Sequence, residues 1–199
     1  MVAEVRVDLK SREVSAALER LRLSLPLGGD LSPAMRSMAR VLKTGAQLRF
    51  RTATDPDGNP WLKSRRVSEG GGQTLSLTRR LRNSLTTAAD RNTATVGTNV
   101  ASAAIHQFGG IIRAKRGPFL AIPVTPAARS AGSPRNMPDL HVWQTLKGQF
   151  VMGDSRGTVH FLLRRQVTMP ARGFLGASDS DRAELLSVLQ QHLEGKWRR

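Results

Sequence analysis

The sequence contains no cysteine, which excludes disulfides and every thiolate metal site. It has no tyrosine, 3 Trp and 6 Phe, so core volume must come mainly from Leu, Val, Ile, Ala and Met. No apolar run approaches the roughly 20 residues that span a bilayer. The opening stretch alternates Val2, Val5, Val7 and Leu9 with charges and lacks the apolar segment of a secretory signal. Acidic residues are scarce. Across 199 residues, 15 Asp and Glu face 31 Lys and Arg, for a net charge of +16. Such a surplus makes polyanions natural neighbours, whether DNA, RNA or an acidic protein surface. The cations cluster at Lys63–Arg65–Arg66, Arg79–Arg80–Arg82, Arg113–Lys115–Arg116, Arg164–Arg165 and Lys196–Arg198–Arg199. Aromatic residues that could stack on bases are not interleaved among them. Contact with DNA would therefore be to phosphates and indifferent to sequence.

The residue patterns of catalysis are also missing. His106, His141, His160 and His192 form no HxxxH or HxH pair, and none stands at ligand spacing from an acid. Gly70-Gly-Gly72 is not followed by the Lys-Ser/Thr of a phosphate loop. No serine lies in a nucleophile elbow. Asp55-Pro-Asp-Gly58 suggests a calcium loop, but its twelfth position is Arg66, where a bidentate Glu is needed. No enzyme, metal or cofactor is expected.

What is present reads as an α+β chain: an antiparallel sheet packed by two or three amphipathic helices, with a β-rich insertion. A strand is expected over Glu4–Leu9, then a helix capped by Ser11 with Val14, Ala17, Leu18, Leu21 and Leu25 on one face. Pro26 and Gly28–Gly29 end it. The next helix has Ser32 as cap and Pro33 at its first position, with Met35, Met38, Ala39, Leu42, Ala46 and Phe50 as its buried stripe. Both helices are expected to pack on the sheet. Residues 55–60 are a turn, Trp61 an apolar anchor, and Gly70–Gly72 a mobile loop unless a partner holds it. A short helix over Thr78–Ser84 precedes a hairpin of Leu85–Ala89 and Thr93–Gly97.

A further short helix, Ser102–Phe108, is expected to bury Ala103, Ala104, Ile105 and Phe108, with Gly109 as its left-handed cap. Ile111 and Ile112 begin a strand. Residues 113–168 form the insertion, with strands at Phe119–Val124, Leu140–Thr145, Gln149–Met152 and Val159–Val167. Residues 125–139 carry three Pro with several Ala and Ser, and read as a loop or extended arm. The core domain is then 1–112 together with 169–199. The chain ends in a helix capped by Ser178 or Ser180, with Asp179 and Asp181 in its first turn. Leu185, Leu186, Val188, Leu189 and Leu193 are its apolar side.

Four segments, in order, resemble those of the phage virion morphogenesis family: Phe50-Arg-Thr-Ala-Thr-Asp-Pro-Asp-Gly-Asn-Pro-Trp61, Leu77-Thr-Arg-Arg-Leu-Arg-Asn-Ser84, Val96–Gly110 and Met169-Pro-Ala-Arg-Gly-Phe-Leu-Gly176. Arg80 stands where that family more often has Gly, and Ser102 where an aromatic is common. The stretch 113–168 exceeds the family's short linker. The resemblance implies a structural protomer of a ring, expected to be hexameric, at the joint between head and tail. Its partners would be tail-tube and neck or connector proteins, and its place the virion, after assembly in the bacterial host cytoplasm. No membrane partner is implied. Asp55, Asp57, Gly58, Trp61, His106, Phe108, Gly109, Gly110, Pro170, Arg172 and Phe174 are the motif residues expected to hold the fold or an interface. Arg113, Lys115 and Arg116 are candidates for contact with double-stranded DNA in a ring lumen, and 113–168 for intersubunit pairing by strand addition. The competing reading is a free, non-specific, basic nucleic-acid-binding protein.

Overall fold

The computed structural model describes residues 11–24, 30–115 and 117–197. The expected strand at 4–9 and the helix stop at 26–29 lie outside these residues, as does Arg116. The chain divides into two compact units, one from Met1–Gly109 with Pro170–Arg199 and one from Gly110–Met169.

In the first unit, α1 (Arg12–Ser24), α2 (Ser32–Thr52) and α7 (Asp179–Trp197) are the long helices. Val14 and Leu21 of α1, Met35, Met38 and Val41 of α2, and Leu185 and Leu189 of α7 close one buried cluster. These side chains recur every three or four residues, which turns one stripe of each helix inward. The hairpin β1 (Thr86–Ala89) and β2 (Ala94–Gly97) forms in the expected place, paired from Thr86↔Gly97 to Ala89↔Ala94. Helix α2 packs on this hairpin, but α1 packs on α7. Among the described residues the sheet in this unit has two strands, too few to cover both helices, so the helices cover one another.

The start of α2 departs from expectation. Ser32 is already helical, and the Asp30 carboxylate accepts from its N–H at 2.9 Å and its hydroxyl at 2.6 Å. An Asx side chain two residues back supplies the acceptor, and these hydrogen bonds hold the Asp30 carboxyl below its usual range. Ser11 does behave as expected, accepting from the Val14 N–H at 3.4 Å. Before Gly71, α3 (Arg65–Gly70) is an unexpected helix. Arg66 then holds the glycine loop, donating to the carbonyls of Gly71 at 3.4 Å and Gln73 at 2.6 Å. The helix expected over 78–84 is the single turn α4 (Arg80–Asn83), and α5 is Ala103–Phe108. Gly109 ends α5 with φ 69° and ψ −168°. This is a glycine conformation, but not the left-handed helical cap expected.

The second unit holds two antiparallel sheets: β3 (Gly110–Arg113) with β8 (Gln166–Met169), and β4 (Leu120–Pro123), β7 (Val159–Arg164), β6 (Phe150–Gly153) and β5 (His141–Gln144) in that order. The single strand expected over 159–167 is two, interrupted at Arg165. At the turn after β6, Gly153 leaves no room for a side chain, because the Thr158 carbonyl and the Trp143 ring press on it. Residues 125–139 are not an extended arm. They fold into α6 (Pro126–Ala131) and a 3-10 turn, Pro134–Asn136. Thr125 caps α6 by accepting from the Ala128 N–H at 3.2 Å, Pro126 sits where its missing N–H costs nothing, and Ala128 is fully buried. Low apolar periodicity concealed this helix because it is only six residues long.

Candidate functional site

The four motif segments meet in one place. Phe50, Trp61, Leu81, Leu85, Ala103, Phe174 and Leu175 form a single buried cluster in the first unit, with at least one member from each segment. At its centre the Phe50 ring meets Trp61 edge-on, centroids 5.6 Å apart, and leans on Phe174 at 5.2 Å. Such edge-to-face contacts add about 0.5–1.5 kcal/mol to the burial itself.

Across this cluster runs the segment 170–177, which is neither helix nor strand. Its backbone must find hydrogen-bond partners elsewhere, and side chains supply most of them. Trp61 Nε1 donates to the Gly173 carbonyl at 3.1 Å, and Arg49 to the Phe174 carbonyl at 3.2 Å. Gln107 makes three bonds: its Oε1 accepts from the N–H groups of Phe174 and Leu175, each at 3.0 Å, and its Nε2 donates to the Leu175 carbonyl at 3.0 Å. The Arg172 N–H donates to the His106 carbonyl at 2.7 Å, and its guanidinium Nε to the Leu62 carbonyl at 2.9 Å. Arg172 is buried, and that burial lowers its pKa from the ordinary arginine value. Gly176, at φ 140°, lies against Pro56, so an added Cβ there would come within 2.7 Å of the Pro56 ring.

Below this segment, the strap, Arg49 of α2 reaches Asp181 of α7, and both side chains are almost fully buried. Asp181 also accepts from the Ser178 N–H at 2.8 Å, while Ser178 Oγ accepts from the Asp181 N–H at 3.2 Å. This reciprocal pair is a capping box with Asp in place of Glu. It identifies Ser178 as the cap of α7.

Most of the expected motif residues are therefore structural. Asp55 Oδ1 accepts from the N–H groups of Asp57 at 3.0 Å and Asn59 at 2.8 Å, closing the turn, while Asp57 itself is exposed. Gly58 takes φ 87° in open space, so its requirement is conformational. Pro170 is half-buried at the start of the strap, and Gly110 opens β3. Phe108 overturns its expectation: it is 63% exposed rather than packed. It lies at the end of α5, where the helix stripe has turned outward and Gln107 has taken the buried position. Arg113 is exposed and donates to Gln166 Oε1 at 3.3 Å, and Lys115 is exposed. Gln107 and Arg49 were not anticipated. The only signal for either was a polar residue in an apolar stripe.

His106 is half-buried, and burial, followed by the charge of Arg172, lowers its pKa from 6.5. The unfolded chain thus takes up this proton first as pH falls, so stability is full above pH 6.5 and declines below it. Denaturation midpoints near pH 7.5 and pH 5.5, a window above most carboxylate titration, are expected to differ less in His106→Gln than in the native chain. An equal difference in both would remove His106 as the cause.

His160 does meet an acid, contrary to its spacing. The turn after β6 brings Asp154 to 3.5 Å from Nε2, and Thr125 Oγ1 lies 2.8 Å from Nδ1. Both partners have structural tasks: Thr125 caps α6, and Asp154 accepts from the Arg156 and Thr158 N–H groups. Those bonds, Thr158 first, also lower the Asp154 pKa. Among the described residues, no group of three or more His, Asp or Glu is placed to hold a metal ion, and no helix is long and apolar enough to cross a membrane.

The model of the phage virion morphogenesis family matches residues 9–194. Mu-like prophage FluMu G protein 2 of Haemophilus influenzae is 36% identical over 123 residues, which is 62% of this chain and 80% of that protein. No solved structure matches significantly.

Proposed function

The chain belongs to the phage virion morphogenesis family, and from that premise we propose that it acts at the head–tail joint as a ring protomer that completes the tail or forms part of the neck. Its role is structural, in virion morphogenesis, and the proposed action is non-enzymatic.

The observation that carries this reading is the fate of the four motif segments. Their apolar residues close one core, with Phe50, Trp61, Leu81, Ala103 and Phe174 all buried. The large apolar side chains they leave exposed, Phe108 and Leu77, are surface available to a partner. A rigid strap and an outward aromatic suit a scaffold that positions neighbours. The second unit supports the same reading. Its strand β5 ends the four-stranded sheet, with Val142 exposed on it and Leu146 and Phe150 exposed beside it. Such an edge can accept a strand from the next protomer, and head-to-tail contacts of that kind close into rings. The proposed order is a hexamer, its partners tail-tube and neck proteins. Arg113 and Lys115, both exposed, are the proposed lumen contacts to double-stranded DNA, weak and indifferent to sequence.

Electron microscopy of particles assembled without the protein tests the role. Separate full heads and unjoined tails are expected. Joined, infectious particles would overturn it. Absence of the protein from purified virions, together with salt-dependent DNA binding by a monomer, would favour the nucleic-acid-binding reading instead.

A further inference from the structure

A groove of about 270 Å³ opens on the first unit between α4 and α5. Leu77, Leu81 and Val100 give it an apolar wall, while Arg66, Arg80 and His106 give it a polar one. No Asp or Glu lines it. Leu77 is 67% exposed, and among the described residues the exposed Arg80 side chain has no hydrogen-bond or ion-pair partner. Arg79 and Arg82 flank Arg80 in sequence, and Lys63 and Arg65 flank Ser64 of the lining. Of these cations, Arg65 is neutralised locally, by Glu69 at 2.6 Å.

A second observation points the same way. Among the described residues, two buried side-chain nitrogens lack a hydrogen-bond partner, and one of them, Nδ1 of His106, belongs to a residue that lines the groove; the other, Nε of Arg82, does not. Buried polar atoms rarely stay unpaired in a finished structure. A carboxylate, which only accepts, can complete an arginine N–H or an imidazole N–H.

We propose that this groove docks an acidic, leucine-bearing segment of another virion protein, its carboxylate on Arg80 and its apolar side chain between Leu77 and Val100. The inference rests on the structural role proposed above and names one partner class for it. A second copy of this chain is a poor occupant, because it brings a net charge of +16 to a cationic groove. A DNA duplex presents phosphates but no apolar side chain to fill the wall, and no aromatic lines the groove for stacking.

The full-length chain, labelled with nitrogen-15, is titrated with an acetylated Asp-Glu-Leu-Leu-Glu peptide, its Lys-Lys-Leu-Leu-Lys counterpart and a short DNA duplex. The acidic peptide is expected to shift the amides of Leu77, Arg80, Val100 and His106, and the basic peptide none of them. Arg80→Glu and Leu77→Asp, both at exposed positions, are each expected to weaken binding about tenfold or more with the circular dichroism unchanged. Shifts scattered over all basic surfaces, equal shifts from the duplex, or affinity unaffected by Arg80→Glu would overturn the proposal. Those results leave the particle phenotype untouched, so failure here is separable from failure of the head–tail role.

Discussion

Arg49→Met is expected to destabilise the first unit by about 3–5 kcal/mol, the range for removing one member of a buried ion pair. Methionine fills similar volume, so the loss is not a cavity effect. It arises because Asp181 stays behind, buried with its charge uncompensated. Asp181 cannot swing out to water easily, since it also accepts the Ser178 N–H that starts α7. The Phe174 carbonyl loses its donor as well. Gly45, one turn before Arg49, shows how closely the pair is fitted: any Cβ there would collide with the Asp181 carboxylate. Alanine would favour the helix by about 1 kcal/mol, yet the collision makes Gly45→Ala unfavourable. The double variant Arg49→Met/Asp181→Asn removes both charges and keeps the cap acceptor, so it is expected to recover much of the loss. Amide exchange of α2 and α7 reads this unit apart from the other. A loss below about 1 kcal/mol in the single variant, or no recovery in the double, would show that the pair does not hold the two helices together.

The same pair shows where sequence reading stops. Helix stripes, the hairpin and the turn at 55–60 were legible because each depends on residues within a few positions of one another. Arg49 stands in the α2 stripe between Ala46 and Phe50, and its meaning depends on a carboxylate 132 positions away. No local period reveals such a partner. Ser32 lost the cap position of α2 for a smaller reason: the helix starts one residue early, so Leu31 stands at the cap and the Asp30 carboxylate two residues back takes the Ser32 N–H. Residues 125–139 misled through composition, since Pro and Ser mark both loops and helix starts, and Thr125 with Pro126 is a start. Phe108 was misplaced because a six-residue helix makes under two turns, too few for periodicity to choose its buried face. The motif segments were recognisable, but their convergence on one strap was not.

That strap sets the second large effect. Gln107→Leu is expected to cost about 3–6 kcal/mol, although it replaces a polar residue, 9% exposed, with an apolar one of similar size. Apolar substitution in a core usually helps when both polar partners leave together. Here only one leaves. The N–H groups of Phe174 and Leu175 and the carbonyl of Leu175 remain buried with nothing to pair, and each such group costs about 1–3 kcal/mol. Helices and sheets could not rescue them, because residues 170–177 belong to neither. Gln107→Glu separates the two halves of the interaction. Its carboxylate can still accept from both N–H groups but faces the Leu175 carbonyl with no donor, so an intermediate loss is expected. Local opening of the strap should precede global unfolding, and the Phe174 and Leu175 amides should exchange faster by on the order of a hundredfold or more in Gln107→Leu. If those amides kept native protection while overall stability fell, the loss would lie elsewhere in the cluster and Gln107 would not be what fastens the strap. If protection falls at the strap first, this chain's His106-Gln-Phe-Gly109 segment divides its tasks between adjacent residues: Gln107 fastens the fold inward, and Phe108 stays exposed.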